Sequence, residues 1–297
     1  MISGTRIYLD FNASTPIAPQ VITAMRQVLD GPFGNPSSDH WAGGPARDAV
    51  EKARKQVARL LGCEPGEVVF TSGGSEANNH ALKGIFFAGR SAHPHIITTQ
   101  VEHPAIQNPC RFLERLGAQV TCVPVDGFGR VDADDVRNAV KRETVLISVM
   151  HANNEVGTIQ PIPEISRVAR EHGIPFHTDA AQSVGKIRTK VRELGVDLLS
   201  VAGHKLYGPK GIGALYILTG LQLEPLVHGA GHEAGRRAGT ENVLLDVGLG
   251  AACELAESWI CMESIQKLRD LFWSRLTGEF GDRVVSMDTR LNGCQTL

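Results

Sequence analysis

Asp179 and Lys205 are the residues in this chain best suited to joint chemistry. Each follows a short apolar run. Ile174–Phe176 leads into His177, Asp179 and Gln182, and Val196–Val201 leads into Gly203-His204-Lys205. Apolar runs too short for a helix and closed by glycine and polar residues read as buried strands. Open parallel sheets hold ligands at the carboxyl ends of their strands. An amine and a carboxylate are therefore expected at one sheet edge, facing one cavity. A lysine taken out of water has a lowered pKa and condenses with aldehydes. A carboxylate opposite a heteroaromatic nitrogen keeps that nitrogen protonated, so the ring can take up the electrons of a carbanion. Alone, Lys205 reads as an ordinary surface lysine. Gly203, Gly208, Pro209, Gly211 and Gly213 around it argue instead for a shaped site.

Other stretches could complete such a site. Thr-Ser-Gly-Gly-Ser-Glu at 71–76 follows a strand-like run and opens a helical one. Helix-start amides beside glycine form an anion site, with Gly74 and Ser75 at its centre. The same residues could equally be a plain glycine turn capped by Ser75. Gln-Val-Glu-His-Pro at 100–104 puts His103 at another strand end, and Met150–Thr158 puts Asn154 at a third. By themselves these fit surface loops, as Asn12 fits a turn. The glycine-rich segment 228–242 carries Arg236, Arg237 and Thr240.

An aldehyde-bearing ring held by a lysine and a carboxylate describes a pyridoxal 5'-phosphate (PLP) site. His-Thr-Asp-Ala-Ala-Gln at 177–182 and Gly-His-Lys-Leu-Tyr-Gly-Pro-Lys-Gly-Ile-Gly-Ala-Leu-Tyr at 203–216 closely resemble the cysteine desulfurase and selenocysteine lyase branch of the class V aminotransferases. The resemblance covers essentially the whole chain. It implies that Lys205 is the Schiff-base lysine and proton carrier, Asp179 the pyridine-nitrogen partner and Gln182 the ring-oxygen partner. It implies that His103 stacks on the ring and shuttles protons. Gly74 and Ser75 would hold the phosphate, with Ser200 and His204 as further cofactor contacts beside Lys205. Asn154 would contact the ring oxygen and, with Asn12, the substrate carboxylate. Relatives often carry Ser directly before Gly-His-Lys. Ala202 stands there, which leaves His204 as the expected phosphate contact and keeps selenocysteine lyase open. Thr240 would reach the phosphate of a second subunit's cofactor, implying a homodimer. Many relatives have Arg where Ala234 stands.

The implied reaction converts L-cysteine to L-alanine and passes sulfur to a cysteine as a persulfide, for iron–sulfur cluster assembly or another acceptor scaffold. L-Selenocysteine is the alternative substrate, and a non-catalytic PLP-binding fragment or partner protein is another reading. A true aminotransferase is the least favoured. The persulfide cysteine is expected in a Gly-Ser-Ala-Cys-like context of a small domain. None of Cys63, Cys110, Cys122, Cys253, Cys261 and Cys294 has that context.

The expected fold is α/β: a large PLP-binding domain over 1–255 with a mostly parallel sheet between helices, then a connecting helix and the start of a small α+β domain over 256–297, expected to be incomplete. Residues 1–20 are expected to pack with the small domain. Strands are expected at 68–71, 95–99, 120–125, 145–150, 175–178, 198–201 and 214–217, with helices at 45–61, 133–142, 165–172 and about 258–280; Arg283–Met287 reads as a further strand. The 42% apolar content over 297 residues suits a large core, and a net charge of -2 suggests neither a nucleic-acid surface nor an acidic tail. No apolar run is long enough for a bilayer, and the first residues lack a signal-peptide pattern. The cytoplasm is therefore the expected compartment, with free thiols. No Cys-x-x-Cys pair suggests a metal site.

Overall fold

The computed structural model describes residues 6–89, 91–258 and 263–284. Two helices come first, α1 (Pro19–Leu29) and α2 (Gly43–Leu61), then strand β1 (Val68–Thr71) and α3 (Gly74–Ala88). Strand and helix then alternate through β2 (His95–Thr99), α4 (Pro104–Glu114), β3 (Gln119–Val123), α5 (Ala133–Ala139), β4 (Thr144–Ser148) and α6 (Ile162–Glu171). The described chain ends with β5 (Phe176–Asp179), the one-turn α7 (Val191–Leu194), β6 (Leu198–Ala202), β7 (Gly213–Ile217), α8 (Val243–Glu257) and α9 (Glu263–Phe280).

The strands form one sheet in the order β1-β7-β6-β5-β4-β2-β3. β7 is antiparallel to both its neighbours, and the other pairs are parallel. The sheet core β4–β7 is thus covered on both faces, and β5, β6 and β7 are buried at every position. Alternate strand residues feed different clusters. Val69, Ile96, Leu146, Leu198 and Leu215 pack with α3 and α4 residues such as Leu82, Ile106 and Leu113. Phe70, Ile97, Ile147, Phe176 and Val201 pack with the larger cluster that includes α2, α6 and α8.

Local chemistry explains where the elements stop. Gly62 closes α2 in the left-handed region at φ 70°. The strand expected to reach Val125 ends at Val123, because Pro124 cannot donate to the ladder. The helix expected to reach Arg142 ends at Ala139, since Val140 is extended. Of the helix expected from about Ser258, residues 259–262 lie outside the described residues; α9 is described over Glu263–Phe280 and leaves Ile265, Leu268 and Phe272 exposed. Most of the strand expected at 283–287 lies outside the described residues, as do Cys261 and Cys294.

The N-terminal segment is laced to the loop after β6. The Thr15 amide and hydroxyl both donate to the His204 carbonyl (2.9 and 3.0 Å), and Thr15 Oγ1 accepts from Tyr207 N at 2.8 Å. The Ala18 amide donates to the Tyr207 carbonyl at 3.0 Å. Tyr207 holds φ 61°, a left-handed conformation unusual for a bulky residue.

Candidate active site

The carboxyl ends of the strands open into a cavity of about 970 Å³. Its lining includes Asn12, Ser72–Ser75, His103, Asn154, Asp179, Gln182, His204 and Lys205. Nearly every expected site residue is therefore brought together from five separate strand ends and the N-terminal segment.

Asp179 is the last residue of β5 and is 6% exposed. Its Oδ1 accepts from the Ala181 amide at 3.0 Å and its Oδ2 from Asn78 Nδ2 at 2.6 Å. Asn78 went unnoticed in the sequence. It lies on α3, one turn past the glycine turn, so one helix carries both the anion-binding amides and the group that orients the carboxylate. Its Oδ1 is buried without a partner among the described residues.

Lys205 sits in the single helical turn that follows β6. Its Nζ donates to the Asn12 carbonyl, which also accepts from Gln182 Nε2 at 3.0 Å. Burial lowers the Lys205 pKa, opposed by the charges of Asp179 and Asp10. His204 is likewise held below its ordinary range, by burial and then by Lys205 and Lys210. Asn12 also donates from Nδ2 to the Asn154 carbonyl at 3.1 Å, joining the N-terminal segment to the loop after β4.

The glycine turn 72–75 fits a phosphate. α3 begins at Gly74, so its first amides lack intrahelical acceptors and carry the positive end of a 15-residue helix. Gly73 adopts φ 148°, open to glycine alone. β7 passes so close behind that a Cβ on Gly213 would lie 2.7 Å from Gly73. Glu76 accepts from the Ser72 amide at 2.7 Å and from Arg237 Nε at 2.8 Å, which ties the turn to the 228–242 loop. The donor set and the orphaned Asn78 Oδ1 together match a flat ligand with an anionic phosphate at one end, a basic nitrogen at the other and an aldehyde beside Lys205. These are the features of PLP.

Some expected residues stand apart. Ser200 does not line the cavity. It is fully buried within β6, and its Oγ shares a hydrogen bond of 3.0 Å with His177 Nε2. Ser200 and Ala202 share a face of β6, and Ala202, at the strand's end, is the one that meets the turn, where a Cβ on Gly74 would come within 3.2 Å of the Ala202 methyl. Thr240 is exposed and outside the cavity lining. His103 lines the cavity and caps α4, its Nδ1 accepting from the Ala105 amide at 3.1 Å.

Directly behind His103, Glu102 is buried. Its Oε1 accepts from Thr99 Oγ1 and the Met150 amide at 2.8 and 2.9 Å. Burial, with Asp179 nearby, raises its pKa to about 8. A single Glu in a loop gives no sequence signal of this kind. Nor did the sequence expose the Arg54–Glu233 pair, which closes the edge of the sheet. Arg54 donates to both Glu233 oxygens at 2.8 Å. The pair also satisfies the outward backbone of edge strand β1, Arg54 bonding the Val68 carbonyl and Glu233 the Phe70 amide.

The fold and site define a PLP enzyme of the aminotransferase type. The chain belongs to the class V aminotransferase family, which it matches over residues 7–281. It is 52% identical over 268 residues to a protein named cysteine desulfurase IscS from Dictyoglomus turgidum, covering 90% of this chain and 68% of the relative. A protein of the same name from Methanosarcina thermophila is 49% identical, with 89% and 66% covered. The chain thus spans about two thirds of the length of these relatives. A solved structure described as SspA in complex with cysteine aligns with a TM-score of 0.82 at 46% identity, over 84% of this chain and 72% of that one. A NifS-like protein aligns with a TM-score of 0.89 at 38% identity, over 92% and 76%.

Proposed function

We propose that this chain provides the cofactor-binding part of a PLP-dependent cysteine desulfurase, which takes L-cysteine to L-alanine and hands the sulfur to a cysteine thiol as a persulfide. The observation that carries the reading is the meeting of Lys205, Asp179 and the 72–75 turn around one cavity. Bound PLP would supply an electron sink for the substrate α-carbon. Lys205 Nζ would hold PLP through its aldehyde, and as a base at the α-carbon it would move the proton there, a role that suits an amine kept below its usual pKa by burial. Asp179, fixed by Asn78 and Ala181, holds a proton on the ring nitrogen. Gly74, Ser75 and His204 would hold the phosphate. Gln182 and Asn154 would donate to the ring oxygen, and Asn12 with Asn154 would orient the substrate carboxylate. His103 would lie against the ring and move protons at the leaving sulfur. The C–S bond of the substrate breaks as an S–S bond forms, so cysteine and a thiol become alanine and a persulfide.

The described cysteines are poor candidates for that thiol. Burial raises the pKa of Cys63 and Cys110 to about 12 and raises those of Cys122 and Cys253 as well. Thr240, exposed on its loop, suits contact with a second copy's phosphate and so a homodimer. A sulfur-accepting scaffold protein and a cytoplasmic setting complete the proposal. No helix among the described residues is long and apolar enough to cross a membrane.

The test is to reconstitute the purified protein with PLP and follow alanine and sulfide from L-cysteine. Bound cofactor with alanine release supports the reading. Transfer of the amino group to a keto acid, or no bound cofactor, would overturn it. Ala202 at the phosphate turn favours a second reading, selenocysteine lyase, which would turn over L-selenocysteine much faster than L-cysteine.

A further inference from the structure

Lys186 lies outside the cavity lining yet reaches the site through Gln182. After β5 the chain turns through Gly185, at φ 78°, and the amides of Lys186 and Ile187 both bond the Ser183 carbonyl at 3.0 Å. The turn folds the Lys186 side chain back, and its Nζ donates to Gln182 Oε1 at 2.7 Å. A lysine ammonium can only donate, so the amide oxygen must face it. On the other side, Gln182 Nε2 meets the Asn12 carbonyl at 3.0 Å, which can only accept. A flipped amide would set N–H against ammonium and oxygen against oxygen and lose both bonds. The two neighbours therefore allow one orientation, with the donor end toward the cavity wall that also holds Lys205.

We propose that Lys186 is a positioning residue that sets the polarity of this corner of the site. By occupying Gln182 Oε1 it presents an N–H donor to the ligand, and so selects a ring that bears an anionic oxygen there. The inference rests on the reading of the cavity as a PLP site and concerns how that site tells its ligand from a close analogue. It requires no displacement of Lys186 and no bond from Lys186 to the ligand itself.

The test compares PLP with its 3-methoxy analogue, in which the ring oxygen can no longer ionise. Affinities of the apoprotein for the two are measured by fluorescence titration. The unaltered protein should favour PLP by roughly tenfold or more, the scale of a hydrogen bond to a charged group. Lys186→Met should bring that ratio close to one, and Lys186→Arg, which also only donates, should restore it. A Lys186→Met protein with an unchanged ratio, or an unaltered protein without preference, would overturn the proposal. If Lys186→Met does not fold, Gln182→Glu gives the same answer: it keeps a pairing with Lys186 but offers only acceptors, and an undiminished preference for PLP would again overturn it. Failure of the parent reading looks different. The unaltered protein would then develop no visible absorption with PLP that Lys205→Ala removes, and the Lys186 proposal would fall with it.

Discussion

The cavity floor and the 228–242 loop are both rich in glycine and were both expected to touch a phosphate, yet they are held in opposite ways. The floor is made of strand ends. Asp179, Lys205 and the glycine turn follow immediately from buried strands, and their orientation comes from hydrogen bonds to neighbours such as Asn78 and Asn12. The loop has no regular structure beneath most of its length. It is anchored by a buried carboxylate, with Glu233 and Ala234 both in the left-handed region at φ 51° and 55°. Burial would lower the Arg54 pKa, but Glu233 outweighs it and keeps the guanidinium charged. The difference teaches that a rigid sheet can orient catalytic groups with few extra contacts, whereas a strained loop needs a charged anchor.

The chemistry of the cavity floor depends most on Lys205. Lys205→Ala should remove the visible band of bound PLP and lower alanine release by roughly a thousandfold or more, while leaving the unfolding midpoint little changed. Absorbance and turnover check this, and retained activity would show that the floor does not hold the chemistry. The loop should respond in the reverse sense. Glu233→Ala leaves the buried Arg54 with only the half-exposed Glu51 as a carboxylate partner, and the edge amide of Phe70 without its acceptor, so denaturant unfolding should lose about 3 kcal/mol. A loss below about 1 kcal/mol would mean that the anchor is dispensable.

A smaller effect is expected from Asn78→Ala. The lost bond to Asp179 should weaken PLP binding about tenfold, as expected for a hydrogen bond to a charged group, with stability changing less. Titration of apoprotein with PLP reads both arms. The smallest change expected is a shift in pH dependence. Glu102 has a folded pKa of about 8, raised by burial and Asp179 from 4.5. The folded state then holds a proton that the unfolded chain has lost between these values. Its contribution is full below pH 4.5 and is lost as pH rises through about 8. Glu102→Gln should flatten that decline in unfolding free energy. An identical slope for the variant would remove Glu102 from the account.

Much of the molecule was legible in the chain. Short apolar runs closed by polar or glycine residues marked the seven strands seen among the described residues, and long motifs such as 177–182 and 203–216 marked the floor of the site. Periodicity also led to α2 and its stop at Gly62. It misjudged ends governed by single residues, as at Pro124 and Val140; the resemblance named Ser200 beside Lys205, and its hydroxyl bonds His177 one repeat deeper in the strand.

Local hydrophobicity and turn chemistry place polar residues near strand ends, and these are read from the chain alone. Which of those ends share a cavity, and what surrounds them, follows from packing. Asn78 meets Asp179, Lys186 orients Gln182, Asn12 reaches Lys205 and Arg54 meets Glu233. The pairings of Asn78, Asn12 and Arg54 span 101 to 193 residues and arise from packing on the faces and the edge of one sheet, whereas Lys186 and Gln182 are four residues apart and meet through a local turn. A buried polar group must find a partner wherever the fold brings one within reach, and no local pattern records which partner that will be.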